Sequence, residues 1–331
     1  MTETFPPAPA AAPSTAVLRC ASCGAEVING ERFCETCGAP LGPTTEAVDP
    51  AGDGATAPPV LSPRDHYVEQ PASWVAACCD RGIRHPKNED ATAVAADPEP
   101  GSHAVLVVCD GVSTSTDSDV AALAGARSAR DVLVAARATG LGVAASRASA
   151  LAQAIGAASA QANEAVIANT DPRSDNAASC TIAAAVLEDH LVVFGNVGDS
   201  RVYWLPDVGK GDALQLSVDD SVAQVRMEMG VARAQAENGP QAHAITKWLG
   251  RDSPDVVPRT GSVELSAAGW LMVCSDGLWN YCSDATELQA LVSATQAEAG
   301  ADPRPLTEAL VGWANAQGGR DNISVALARH G

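Results

Sequence analysis

Six acidic residues stand where an apolar run meets a turn. "AVLVVCDGVS" ends its run on Asp110 and Gly111, and "LMVCSDGLWN" ends its run on Asp276 and Gly277. Glu89 and Asp90 lie in "KNEDA", Asp199 in "NVGDSR" and Asp321 in "GRDNIS", each following or opening a strand-like stretch. Singly, an Asp-Gly pair reads as a turn. Together, these residues put carboxylates on the inner edge of a core. They cannot all stay ionised there without compensating positive charge. Hard divalent cations, Mg²⁺ or Mn²⁺, supply that charge and prefer carboxylate, carbonyl and water oxygens. A glycine after the acid lets the backbone carbonyl approach such an ion.

A second set is made of thiols. "CASCGAEVINGERFCETCGAP" spaces Cys20 and Cys23, then Cys34 and Cys37, as two C-x-x-C pairs, each followed by glycine. Two thiolates three apart in a tight turn hold half of a tetrahedral zinc shell, and two such turns complete it. Asn29 and Gly30 suit a hairpin turn between the two knuckles. The segment has too few apolar residues to fold alone, so Zn²⁺ binding would supply its folding energy. The competing reading is a pair of redox motifs, but doubled CxxCG spacing favours a structural zinc ribbon. A zinc deaminase is excluded, because no His-x-Glu is present. Small ribbons of this kind are structural or bind another protein.

The elements that must position these groups come in clusters. "WVAACCDRG" reads as a strand and a turn, and "HAVLVVCDG" as a buried strand. Two Ala-rich helices follow, the first with Asp117 or Ser118 as its N-cap. "CTIAAAVLED" and "HLVVFGNVG" form a strand pair, and "DSRVYWLP" continues as a strand with an edge-style proline. Residues 206–260 read as irregular with short helices. A buried strand over "LMVCSDG", two helices and the closing strand "ISVALARH" complete the chain. Strands in adjacent groups and helices in pairs predict an α+β fold, an antiparallel core covered by helices. Residues 1–16 are expected to be disordered and 17–42 to form the ribbon. Residues 43–70 read as a Pro/Gly/Ala-rich linker and 71–331 as the large domain.

Composition sets limits. Of 331 residues, 46% are apolar but only 4% aromatic, so much of the core must be small aliphatic packing. A formal charge of −19 argues against nucleic acid and anionic membranes as partners. The surplus of acids fits either cation binding or plain solubility. The N-terminus lacks the basic start and apolar segment of a secretory signal, and no run reaches the roughly 18 apolar residues of a membrane span. A cytoplasmic protein is expected. The cysteines outside the ribbon lie in or beside apolar stretches, as buried free thiols do.

The same motifs, in order, resemble the metal-dependent (PPM, type 2C) serine/threonine protein phosphatases. They are "GIRHPKNEDA", "VCDGV", "SCTIAAAV", "NVGDSRVY", "HAITKWLG", "CSDGLWN" and "GGRDNISV", and they span essentially all of residues 74–331. The resemblance implies a four-layer α-β-β-α sandwich with a binuclear Mn/Mg site at one end. By position, Asp110 would bridge both metals, with the Gly111 carbonyl and Glu89 on one side. Asp276 and Asp321 would hold the other metal. Asp90 would bind metal or its water, and Asp199 with Asp276 would hold the weaker third metal of bacterial members. Arg84 matches the arginine that grips substrate phosphate. The implied chemistry is in-line attack by a metal-bridging hydroxide on phosphoserine or phosphothreonine. Phosphoproteins of Hanks-type kinase pathways are then the expected substrates. The alternative is a non-catalytic phosphoprotein-binding scaffold of the same fold. Val112 and Ser113 stand where some members carry a histidine acid, and Arg84 to Asn88 is one residue longer than in many relatives. His85 reads as a surface histidine before proline, and Trp248 as a packing residue.

Overall fold

Val105, Leu106, Val107 and Val108 are all buried, and a strand buried on both faces must lie between two layers. The computed structural model describes residues 62–137 and 142–331. N-terminal to these, it describes only the paired backbone of Leu18–Arg19 and Glu26–Val27. Segment 1–16, the linker up to residue 61 and the four ribbon cysteines lie outside the described residues.

The strands are β1 (His66–Ala72), β2 (Val75–Asp80), β3 (Ala91–Ala96), β4 (Ala104–Cys109), β5 (Ile182–Glu188), β6 (Leu191–Val197), β7 (Arg201–Pro206), β8 (Arg259–Glu264), β9 (Gly269–Cys274) and β10 (Ile323–His330). One sheet runs β8-β6-β5-β4-β3. The other runs from the two-residue strand Leu214–Gln215 through β7, β9, β10 and β2 to β1. Every pairing is antiparallel. The helices are α1 (Ser118–Ala135), α2 (Ala144–Ala168), α3 (Val222–Glu228), α4 (Arg233–Glu237), α5 (Asp276–Trp279), α6 (Ala285–Ala299) and α7 (Pro303–Ala316).

Strand alternation builds the layers. On β4, Val105 and Val107 pack under α1 and α2 with Leu151, Ile155 and Val193. Leu106 and Val108 face the other sheet, meeting Val75, Val202, Leu271 and Val273. On that sheet's far side, Tyr203, Met272 and Leu327 pack against Leu288, Leu306 and Leu310 of α6 and α7. This is the expected four-layer sandwich. The alanines have a purpose here: a Cβ on Gly125 of α1 would already touch Val166 of α2, so the two helices approach closely through small residues. Asp284 and Asp302 cap α6 and α7, accepting bonds from Thr286 N at 2.9 Å and Arg304 N at 3.0 Å.

Three expectations change. The large domain begins before residue 71, because β1 starts at His66 and pairs Tyr67 with Cys79 and Val68 with Cys78. It is an edge strand whose register shifts between Glu69 and Ala72, where Pro71 sits, so its sequence looks like linker. β8, which starts at the end of the segment read as irregular and runs on to Glu264, is the polar edge of the other sheet. Asp117 does precede α1, at φ 56°, but makes no side-chain cap. Ser118 lies within the helix and turns its hydroxyl to Glu89. No helix among the described residues is long and apolar enough to cross a membrane.

Candidate active site

The registers bring the six acids to one end of the sandwich. Ala91 pairs with Cys109, so the start of β3, after Glu89 and Asp90, meets the end of β4, before Asp110. Arg201 and Val325 both pair with Cys274, placing Asp199, Asp276 and Asp321 around the end of β9. Asp276 opens α5, Asp199 lies in the β6–β7 turn and Asp321 leads into β10.

The acids feel one another. Burial pushes the Asp110 carboxyl well above the usual carboxylate range, and Asp90, Asp276, Asp321 and Asp199 push it further. Burial, then Asp276 and Asp219, raises Asp199 in the same way. Asp90 is pushed up to about 7 by burial, despite the hydroxyl of Ser275 donating to it at 2.7 Å. Asp276 is pushed up to about 7 by burial and by Asp321. Its Oδ2 accepts from Asn280 at 2.9 Å, and its Oδ1 is buried with no partner. Burial raises Asp321 to about 6, although His85 opposes the shift. Glu89 behaves differently. Burial would raise it, but bonds from His85, Ser118 and Ser113 and the charge of Lys87 bring it down to about 2.

His85 is not a surface residue. Its Nε2 stands 3.2 Å from Asp321 and its Nδ1 3.9 Å from Glu89, and these acids hold its pKa above the ordinary value, Glu89 most strongly. Glu89, four residues on, is the local half of this pocket, and Asp321, from the far end of the domain, is the half that no local signal could reveal. Arg84 is exposed at the rim, its backbone N–H donating to the Gly319 carbonyl at 3.1 Å. Gly111 is obligatory: a Cβ there would collide with the Glu89 carbonyl and crowd Ser118. A Cβ on Gly277 would run into the Asn322 carbonyl.

The sequence reading missed three supporting residues. Asn322 accepts the Glu89 N–H at 2.8 Å and donates to the Arg81 and Lys87 carbonyls, stitching two acid-bearing loops together. Ser275, besides holding Asp90, accepts from Ser324 N at 3.0 Å. Thr181 accepts from Asp110 N at 3.2 Å and donates its own N–H to the Asp110 carbonyl at 2.8 Å. Each sits one or two residues from an acid or its strand partner, and that adjacency was the available signal.

Among the described residues, no three His, Cys, Asp or Glu side chains are already drawn tightly around one point. The unpaired Asp276 Oδ1 and an all-oxygen donor set nevertheless fit a hard divalent cation.

Known proteins resemble this chain in sequence and fold. A family model for the zinc-ribbon domain matches residues 19–41, which include all four cysteines. The serine/threonine phosphatase Stp of Listeria innocua is 30% identical over 170 residues, which are 50% of this chain and 63% of that protein. The chain thus spans less than two thirds of that relative's length. The crystal structure of the PPM Ser-Thr phosphatase MsPP from Mycobacterium smegmatis in complex with cacodylate superposes with a TM-score of 0.57. It is 26% identical and covers 78% of this chain and 98% of its own. The catalytic domain of the phosphatase PstP, in complex with two manganese ions, shares the fold at a TM-score of 0.52 and 22% identity, over 77% of this chain and 96% of that one. A family model for protein phosphatase 2C matches residues 83–314, through Glu89, Asp90, Asp110, Asp199 and Asp276, and so the chain belongs to the protein phosphatase 2C family.

Proposed function

We propose that the protein is a Mn²⁺- or Mg²⁺-dependent phosphatase acting on phosphoserine and phosphothreonine in proteins. One observation carries this reading: buried aspartates from both sheets raise one another's pKa at one end of the sandwich, with an Asp276 oxygen left unpaired. In this reading Asp110 would be shared by two ions, Glu89 and the Gly111 carbonyl would help hold one, and Asp276 and Asp321 would help hold the other. Asp90 would hold an ion or its water, and Asp199 with Asp276 would serve a weaker third site. Such ions, when bound, polarise phosphoryl oxygens and make water acidic enough to attack phosphorus near neutral pH.

The chain's own groups do the rest. Arg84 offers a guanidinium at the rim for bidentate contact with two phosphoryl oxygens. Lys87 and His85 keep Glu89 ionised, Ser275 orients Asp90, and Asn322 fixes the loop carrying Glu89. Val112 and Ser113 give the stretch after Asp110 no imidazole. Phosphoproteins of Hanks-type kinase pathways are the proposed substrates, in the cytoplasm. The ribbon binds Zn²⁺ through Cys20, Cys23, Cys34 and Cys37 and offers a surface for another protein. Elemental analysis of the full chain should show zinc that disappears in a Cys20→Ser/Cys23→Ser variant.

The deciding experiment is hydrolysis of p-nitrophenyl phosphate and a phosphothreonine peptide with Mn²⁺, with EDTA, and by Asp276→Asn. Turnover is expected only with the metal and the native acid. Metal-independent turnover would overturn the reading, and peptide binding without hydrolysis would favour a scaffold.

A further inference from the structure

A cavity of about 280 Å³ opens beside the acidic end of the sandwich. Its apolar walls are Val112, Ala177, Ala178, Ile245 and Trp248, and Asp252 stands on its lip. Val112, Ile245 and Trp248 are half-buried, so solvent reaches apolar surface inside a concavity. Such surface is stabilised by an apolar occupant. The volume lies just below the usual range for small-molecule pockets and suits one amino-acid side chain.

Backbone bonds fix this cavity relative to Asp110. Gly111 bridges to Cys180, and Val112 N donates to the Ser179 carbonyl at 2.9 Å. Ser179–Cys180 is itself a two-residue strand, and on its other side Leu249 pairs with Cys180 and Gly250 with Ser179. Trp248 therefore stands about two strand spacings, roughly 10 Å, from the backbone of the proposed metal-bridging residue. An extended peptide covers that distance in about three residues.

Charge narrows the occupant. The basic side chains of this segment are already engaged: Lys247 with Asp255 at 2.8 Å, and Arg251 with the carbonyls of Pro172 and Ser174 at 3.0 and 2.6 Å. Asp252, paired only at 3.5 Å with Arg251, and the acidic end of the sandwich would repel a second phosphate or an acidic residue.

Resting on the phosphatase reading above, we propose that this cavity is a specificity subsite. It receives a bulky apolar side chain within three residues of the phosphorylated one, with the Trp248 indole as its main wall.

The test is a set of phosphothreonine peptides differing only near the phosphoresidue, with Leu, Ala or Asp placed at each flanking position in turn. At one position the wild-type kcat/KM for Leu over Ala is expected to be about tenfold, as burial of a few methylenes allows. Asp should be poorer than Ala. In Trp248→Ala and in Ile245→Ala the Leu-to-Ala ratio should fall toward one. Equal rates for Leu and Ala peptides in the wild type would overturn the subsite, and so would a ratio unchanged in Trp248→Ala. Fluorescence anisotropy of the same peptides on Asp276→Asn protein with Mn²⁺ should give the same ranking without turnover. If wild-type protein fails to hydrolyse p-nitrophenyl phosphate, the phosphatase reading falls, while the anisotropy ranking still decides the cavity.

Discussion

The molecule buries acids in two neighbouring places and treats them in opposite ways. Around Arg201, 1% exposed, every charge is answered. Its guanidinium donates to Asp219 at 2.8 and 3.0 Å, to Glu237 at 3.0 Å and to the Tyr203 hydroxyl at 3.1 Å, and lies 3.5 Å over the Trp279 ring. At the acidic end, reached through the Trp279 N–H donating to the Asp199 carbonyl, burial and neighbouring acids hold Asp90, Asp110, Asp199 and Asp276 above the ordinary range, and the cationic groups nearby, Arg201 at Asp199 and His243 and His85 at Asp276, do not undo it. The fold neutralises buried carboxylates with its own side chains where it only needs structure. Where it withholds them, the compensating charge must come from outside.

The sharpest way to break this contrast is to remove one uncompensated acid. Asp276→Asn should lower kcat/KM at least about a thousand-fold, some 4 kcal/mol of transition-state stabilisation, while the protein folds at least as well. Near-wild-type turnover by a purified variant would refute the contrast.

The converse experiment is Arg201→Met, which takes from Asp219 its guanidinium partner and leaves Glu237 only Arg233 and Ser283. It should destabilise the fold by about 3–5 kcal/mol in chemical denaturation. A neutral result would mean that buried acids here need no partner.

A third prediction concerns pH in EDTA. Asp90 and Asp276 sit near 7 and Asp321 near 6, all above the ordinary range of about 4. Acids whose pKa is raised by folding stabilise the fold fully below their unfolded pKa, and that contribution is lost as pH rises through 6 to 7. Cation-free protein should therefore melt higher at pH 5.5 than at pH 8, and Mn²⁺ should narrow the difference. The reverse order would count against it.

The smallest effect is expected of Ser275→Ala, which removes one bond to Asp90 and the acceptor of the Ser324 N–H. A loss of about 1 kcal/mol and weaker Mn²⁺ affinity by titration are expected, with the ion still bound.

Much of this arrangement is legible in the sequence because burial writes it there. β4 and β9 are apolar on both faces, so an aspartate at the end of either announces itself. β1 and β8 are edge strands carrying Glu69 and Gln70, or Arg259 and Glu264, and without full burial they read as loop. His85 misleads for another reason. Glu89 is only four residues away, but Asp321 lies more than two hundred residues away in sequence, and no local pattern encodes its approach. The Asn322 stitch is equally non-local, although its place directly after Asp321 hinted at it.

β10 lies in the interior of its sheet, between β9 and β2, with Ile323 opposite Asp80. Roughly 240 residues separate those partners, which at 5–20 residues per second is about 12–50 s of ribosome time. Through that interval β2, with Val75 to Cys79 wholly apolar, has made its hairpin partner but waits with its other edge bare. Asp321 arrives only as β10 does, so the nascent chain carries an aggregation-prone strand before its acidic cluster is complete. The demand on chaperones lasts until β10 has emerged and covered that edge.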